Sequence, residues 1–376
     1  MNHPRGFAGI PLVLLLAGSL YAEQTDTWHD PSPHSVQFVA VDDNVKLEVL
    51  DWGGSGRPVV LLAGLGNTAH VFDDFAPKLT PQYHVYGITR RGYGSSSAPA
   101  TGYGADRLGD DVLAVLDALK VNRPVLVGHS IAGEELSSVG TRYPDRVAGL
   151  IYLDSAYSYA YYSPSLGDLN IDLKDLQKKL EELEPGKGPQ DRRALLKELL
   201  QDSLPLFERD LQEQQRIWLA SLMPTAPPPT PSDSDLVSFA AFRSWQTRTQ
   251  GITEPEAELR QNRESRPDGG VGKSRSDPSI GLAVLAGDQK YTDIRVSVLA
   301  IYAAPHDQGL DANNDAAARA TFEVIETTLF DPQEKAFENG VHSARVVRLP
   351  HANHYVFLSN ETDVLREMQA FLAGLK

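Results

Sequence analysis

The stretch 124–135, Pro-Val-Leu-Val-Gly-His-Ser-Ile-Ala-Gly-Glu-Glu, constrains this chain more than any other. Residues 125–127 are an apolar run short enough for a buried strand, and 134–143 carries a helical pattern. Between them stand Gly128, Ser130, Ala132 and Gly133. A serine between a strand and a helix, with small residues two before and two after it, suits a sharp turn. Backbone segments approach too closely there for larger side chains, and the serine is held in a strained conformation with its hydroxyl above the sheet. The usual pattern places glycine at the second small position; this chain has Ala132, with Gly133 next. The competing reading is a Gly-Ser loop opening an ordinary helix, and the rest of the chain decides between them.

Strands and helices alternate on both sides of this turn. Residues 36–41 and 45–50 are alternating runs joined by Asp42-Asp43-Asn44, a hairpin signal. Runs at 58–63, 84–89 and 147–153 are apolar almost throughout. Helices are expected at 71–79 and 103–119, the second with Leu108, Val112, Val115 and Leu119 at three- and four-residue spacing. Strands buried on both faces and separated by helices imply a mostly parallel sheet covered on each side. The alternation stops at Ala156. From there to about 292 the chain reads as helices and loops, with leucine stripes at 169–183 and 195–200, a proline-rich linker at 224–231 and a polar, glycine-rich, mobile stretch at 261–279. The sheet pattern resumes at 296–302 and 344–349, with helices at 315–339 and 361–375. The expected layout is a targeting segment 1–22, a first core part 23–155, a helical lid 156–292 and a second core part 293–376.

Composition bounds the partners. A formal net charge of −15 over 376 residues leaves nothing to offset phosphate repulsion, so nucleic acid and anionic membranes are not expected partners. Arg5 precedes an apolar run at 6–20, and 17–22 fits a signal-peptidase site, which predicts export to the periplasm or beyond. The run is shorter than the ~20 apolar residues of a spanning helix. The chain has no cysteine, which removes disulfides, thiolate metal sites and a cysteine nucleophile.

A serine hydroxyl needs a base within hydrogen-bond reach, and the base needs an orienting acid. His354 lies on the loop after the last strand, in Leu349-Pro-His-Ala-Asn-His354, and is the expected base. His351 and His354 could be read as metal ligands, but no carboxylate or thiolate cluster accompanies them in the sequence. The acid should leave the end of another strand. Asp307, in Ala304-Pro-His-Asp307, is the preferred acid, and Asp154 at the end of 147–153 is its competitor. Either keeps the order serine, acid, histidine. The backbone N–H groups of Leu65 and Ile131 are placed to hold an oxyanion, with Gly64 and Gly66 permitting close approach. This chemistry needs no metal and no organic cofactor.

Residues 63–66 (Ala-Gly-Leu-Gly), 91–95 (Arg-Gly-Tyr-Gly-Ser), 128–133, Asp307 and Asn353-His354 together resemble the α/β-hydrolase superfamily, from about residue 36 to 376 outside most of the lid. Departures are Ala63 where the family usually has histidine, Thr89-Arg90 where Asp-x-Arg-Gly often begins, and Ala132. The resemblance implies an α/β-hydrolase fold and a serine hydrolase of the esterase type with a helical cap. Ser130, in place of aspartate, argues against the dehalogenase and epoxide-hydrolase branches. Gly64-Leu-Gly-Asn-Thr-Ala69 imitates a dinucleotide fingerprint, and Gly270-Val-Gly-Lys-Ser274 a phosphate loop; the second lacks its first glycine and a preceding strand. Tyr157, Tyr159, Tyr161, Tyr162, Trp218, Phe239, Phe242 and Trp245 could wall an apolar pocket or simply pack the lid. The expected activity is hydrolysis of a small-molecule ester, probed against lactones, amides, carbon–carbon bonds, and a non-catalytic binding protein on the same scaffold.

Overall fold

One eight-stranded sheet carries the molecule, in a computed structural model that describes residues 28–184, 186, 188, 191–222 and 229–375. The expected targeting segment 1–22 and most of the proline-rich linker lie outside the described residues. The strands are β1 (Ser35–Asp42), β2 (Val45–Gly53), β3 (Pro58–Leu62), β4 (His84–Ile88), β5 (Val125–His129), β6 (Gly149–Leu153), β9 (Val298–Ala303) and β10 (Ala344–Leu349). A separate hairpin of β7 (Arg263–Ser265) and β8 (Val271–Ser274) sits in the lid. Across the main sheet the order is β1-β2-β4-β3-β5-β6-β9-β10. Pairs β1–β2 and β2–β4 are antiparallel, and the pairs from β4 to β10 are parallel.

The apolar runs explain the two covered faces. Every residue of β5 and β6 is buried. Successive side chains point to opposite faces, so Leu150 and Tyr152 join one core while Ile151 and Leu153 join the other. The first core is closed by α1 (Ala105–Leu119) through Val112, Val115 and Leu116, and by α2 (Gly133–Arg142) through Leu136 and Val139. The second is closed by Phe72, Phe75 and Phe357 and by the last helix, Glu361–Gly374, through Val364, Met368 and Leu372.

Between β6 and β9 lies the lid, with α3 (Leu169–Glu182), α4 (Arg193–Glu198), α5 (Leu204–Ser221), α6 (Phe239–Gln250), α7 (Glu256–Asn262) and α8 (Pro278–Leu285). Two local expectations change. The helix expected at 71–79 is a pair of short 3₁₀ turns, Ala69–Phe72 and Ala76–Lys78, because Pro77 has no N–H to continue a helical ladder. The stretch expected to be mobile at 261–279 contains the β7–β8 hairpin, turned at Arg266-Pro-Asp-Gly269, where Gly269 takes φ +82°. No helix among the described residues is long and apolar enough to cross a membrane.

Candidate active site

Ser130 caps the C-terminal end of β5 with φ +54°, a left-handed conformation that a side-chain-bearing residue adopts only when its surroundings force it. The forcing contacts are visible at the flanking glycines. A Cβ on Gly128 would stand 2.9 Å from Leu136 Cδ1, and one on Gly133 would stand 2.0 Å from the backbone oxygen of Ser155. The indispensable small residue on the helix side is therefore Gly133. Ala132, fully buried, fits where the usual pattern has glycine.

The loop after β3 passes against this turn. A Cβ on Gly64 would meet His129 Nδ1 at 2.9 Å and Ser130 Cβ at 3.1 Å, so the backbone beside Leu65 runs next to Ser130. Arg90 locks the two together. It donates to the carbonyls of Ala63 (2.9 Å) and Gly64 (3.2 Å), and its fork grips Glu135 of α2 at 2.7 and 2.9 Å. Both partners are buried, which makes this a bidentate, charge-assisted clamp rather than a surface pair. In the sequence Arg90 stands out as a departure from the family pattern and, with Arg91, as a possible phosphate holder in the dinucleotide-like reading; its partner lies in α2, and nothing local announces the pairing.

The acid is where expectation and structure part. His354 Nδ1 lies 2.6 Å from Asp154 Oδ2, and Asp154 is fully buried. Asp307 is engaged elsewhere, its Oδ1 accepting from Gly309 N (2.8 Å) and Asn313 Nδ2 (2.6 Å). The structure thus brings the competitor Asp154, and not the preferred Asp307, to the His354 imidazole. The physical reason is strand order: β6, which ends at Asp154, is the immediate neighbour of β5, whereas Asp307 lies beyond β9 on a loop that turns back to Ala352.

Asp154 accepts four hydrogen bonds. Oδ1 takes Tyr157 O–H (2.7 Å) and Ala303 N–H (3.0 Å); Oδ2 takes His354 Nδ1 and His306 Nε2 (2.9 Å). These use the roughly four lone-pair directions a carboxylate offers. Burial alone would raise its pKa, but the hydrogen bonds and charges of His306 and His354 win and hold Asp154 well below the carboxylate range. His306, which sequence reading passed over beside Asp307, also faces Glu326 Oε1 at 2.6 Å. Burial opposes its charge, yet Asp154 and Glu326 push it up to about 10.

His129 Nε2–H donates to the His354 carbonyl at 3.1 Å, and the two rings stand 4.7 Å apart, so the residue before the nucleophile steadies the loop bearing the imidazole. Burial, then the neighbouring His354, pushes His129 down to about 3 and keeps it neutral. Among the described residues Ser130 Oγ makes no hydrogen bond to His354; catalytic hydrogen bonds of this kind often form only in the reacting complex. His351 belongs to neither of the two groups of potential metal-ligating side chains among the described residues.

The lid reaches the same place from above. Glu258 of α7 accepts from Thr68 N (3.0 Å), Asn67 Nδ2 (2.9 Å), Asn262 Nδ2 (2.6 Å) and the Thr68 hydroxyl. Burial first, then the charge of Glu254, pushes Glu258 up to about 7. A cavity of about 540 Å³ lies between lid and body, lined by Tyr157, Tyr159, Leu169, Ile217 and Phe330 among others; Ser130, Asp154 and His354 do not line it, and Tyr157, which donates to Asp154, connects the two. That volume suits a small organic ligand, for which pockets run to about 300–1,000 Å³. Of the aromatic residues weighed as pocket walls, Phe239 and Phe242 pack against Leu259 and Val271 inside the lid, and Trp218 is 59% exposed.

Comparison with known proteins agrees with this fold. A family model described as the alpha/beta hydrolase fold matches residues 57–265, more than half of the chain. The 2-(acetamidomethylene)succinate hydrolase of Mesorhizobium japonicum is 29% identical over 101 residues, 27% of this chain and 36% of that one. The 3-oxoadipate enol-lactonase 2 of Acinetobacter baylyi is 28% identical over 114 residues, 30% of this chain and 43% of that one. These matches span less than half the length of either relative. A solved E-2-(acetamidomethylene)succinate hydrolase superposes with TM-score 0.56 at 18% identity, covering 91% of this chain and 100% of the other.

Proposed function

The chain belongs to the α/β-hydrolase family, and we propose that it is a serine hydrolase that cleaves a carboxylic ester through an acyl-enzyme. The observation that carries this reading is the Asp154–His354 couple at 2.6 Å on the strand neighbouring the strained Ser130. With Nδ1–H held by Asp154, the His354 imidazole keeps Nε2 unprotonated and able to accept. Ser130 Oγ attacks the carbonyl carbon while its proton passes to His354 Nε2. The oxyanion is held by the N–H groups of Leu65 and Ile131, each such donor being worth roughly 100- to 1,000-fold in rate. The carbon–oxygen bond to the alcohol then breaks, and the alcohol leaves with the proton from His354. Water, deprotonated by His354, attacks the acyl-serine, releases the acid and restores Ser130.

Purified protein should turn over p-nitrophenyl esters and react with a fluorophosphonate probe at Ser130. Ser130→Ala should bring turnover to near background; retention of turnover in that variant would refute the reading. The bond cleaved is open to a substrate panel, since a relative is named for a lactone and another for an acetamidomethylene succinate. Export is part of the proposal, on the apolar run 6–20 behind Arg5. N-terminal sequencing of the mature protein should begin at Glu23.

A further inference from the structure

Away from the active site, two histidines and two aspartates converge where the chain enters β1. Asp30 and His34 come from the segment before that strand, and His70 and Asp73 from the 3₁₀ turn after β3. His34, His70 and Asp73 side chains are 4%, 5% and 3% exposed, and one ligand atom from each of the four residues lies within 4.8 Å of all the others. We propose that Asp30, His34, His70 and Asp73 form a binding site for one divalent transition-metal ion, zinc in the first place.

The hydrogen bonding of the groups distinguishes this from an ordinary polar cluster. His70 Nδ1 pairs with Asp73 Oδ2 at 2.8 Å, but His34 Nδ1 and Asp73 Oδ1 stand at ion-pair distance (3.1 Å) without a hydrogen bond, and Asp30 Oδ2, 3.2 Å from His70 Nδ1, is likewise buried without one. Buried polar atoms of native proteins are nearly always satisfied, so three atoms without a hydrogen bond, gathered within 4.8 Å of one another, call for a common partner. With zinc–ligand distances of about 2.0–2.2 Å, tetrahedral neighbours stand about 3.3 Å apart, their lone pairs aimed at the ion rather than at each other. His34 Nδ1–Asp73 Oδ1 at 3.1 Å and His70 Nδ1–Asp30 Oδ2 at 3.2 Å match that edge. Two imidazoles and two carboxylates favour zinc or a similar ion over calcium or magnesium, which take oxygen shells. The outer partners are also present. Asp30 Oδ1 accepts from Ser32 N (2.9 Å), leaving Oδ2 for the ion, and Glu48 Oε1 lies 3.8 Å from the distal nitrogen of His70. In a chain without cysteine, the ion staples the entering segment to the region just past the oxyanion loop.

The competing arrangement needs no ion: against burial, Asp30, Asp73 and Glu48 push His70 up to about 12, and a proton supplies the positive charge. The test uses untagged full-length protein stripped with dipicolinate, then titrated with zinc chloride by calorimetry and assayed for bound metal. One equivalent is expected in the wild type and in His354→Gln, which breaks the Asp154–His306–His354 group. In His34→Gln and Asp73→Asn, affinity should fall at least about 100-fold, the upper end of what losing an outer partner costs. No stoichiometric zinc, or zinc lost in His354→Gln but kept in Asp73→Asn, overturns the assignment. Where a ligand variant fails to fold by circular dichroism, cobalt titration of the wild type decides. Intense visible bands of tetrahedral cobalt support the site, and their absence overturns it.

Discussion

Replacing Asp154 by asparagine turns one carboxylate oxygen into an amide nitrogen, and the surroundings dictate which. Oδ1 accepts from the backbone N–H of Ala303 at 3.0 Å, a donor that cannot rotate away, and from Tyr157 O–H. The amide oxygen must occupy that position, so the NH₂ faces His354 Nδ1, where Oδ2 stood at 2.6 Å. An NH₂ there can only donate. It selects the tautomer with Nε2–H, which cannot take the Ser130 proton. In a serine-triad enzyme this tautomer error lowers kcat by about 10⁴, or roughly 5 kcal/mol of barrier. Asp307→Asn alters a loop contact to Gly309 and Asn313 and should change kcat less than about tenfold. The assay is pre-steady-state turnover of p-nitrophenyl acetate by both variants, with thermal melts to confirm folding. A folded Asp154→Asn enzyme within tenfold of wild type, or an Asp307→Asn enzyme a thousandfold slower, would refute the assignment of the acid.

Three further outcomes follow from the same contacts. Gly133→Ala places a Cβ 2.0 Å from the Ser155 carbonyl and should cost about 3 kcal/mol or more by urea denaturation, whereas Ala132→Gly should stay within about 1 kcal/mol. His306 carries a folded pKa of about 10 against an ordinary 6.5, so its stabilisation is complete below pH 6.5 and lost as pH rises to 10. The loss is at most about 5 kcal/mol, and denaturant midpoints of His306→Gln should show a flatter decline over that window. Glu258 is an acid raised from 4.5 to about 7, so the folded state holds its proton more tightly and stability falls as pH climbs between those values, by at most about 3 kcal/mol. Glu258→Gln should remove that slope, and an unchanged slope refutes the assignment.

The sheet was legible because β5, β6 and β9 are apolar on both faces, and the strained turn at Ser130 because it leaves small residues on either side of it. The place of His354 on the loop after the last strand could be read from the order of the elements. Asp154 and Asp307 could not be ranked locally: both leave a strand end in serine-acid-histidine order, and only the lateral order β5-β6-β9 brings the first to the imidazole. The Arg90–Glu135 clamp, Glu258 on Asn67 and Thr68, and the pairing of His306 with Asp154 join segments far apart in the chain, and no periodicity encodes such partners. Asp30 with His34 and His70 with Asp73 do carry helical-type spacings, yet Asp30 and His34 lie on an irregular segment bent at Ser32, so spacing alone does not bring the two pairs together.

The amide of Asn67 is gripped from two sides. Its nitrogen is held by Glu258 of the lid, and its oxygen by the hydroxyl of Tyr355, the residue after His354. One side chain thus ties the covering helix to the loop that carries the imidazole, so Asn67→Ala should loosen both ends at once.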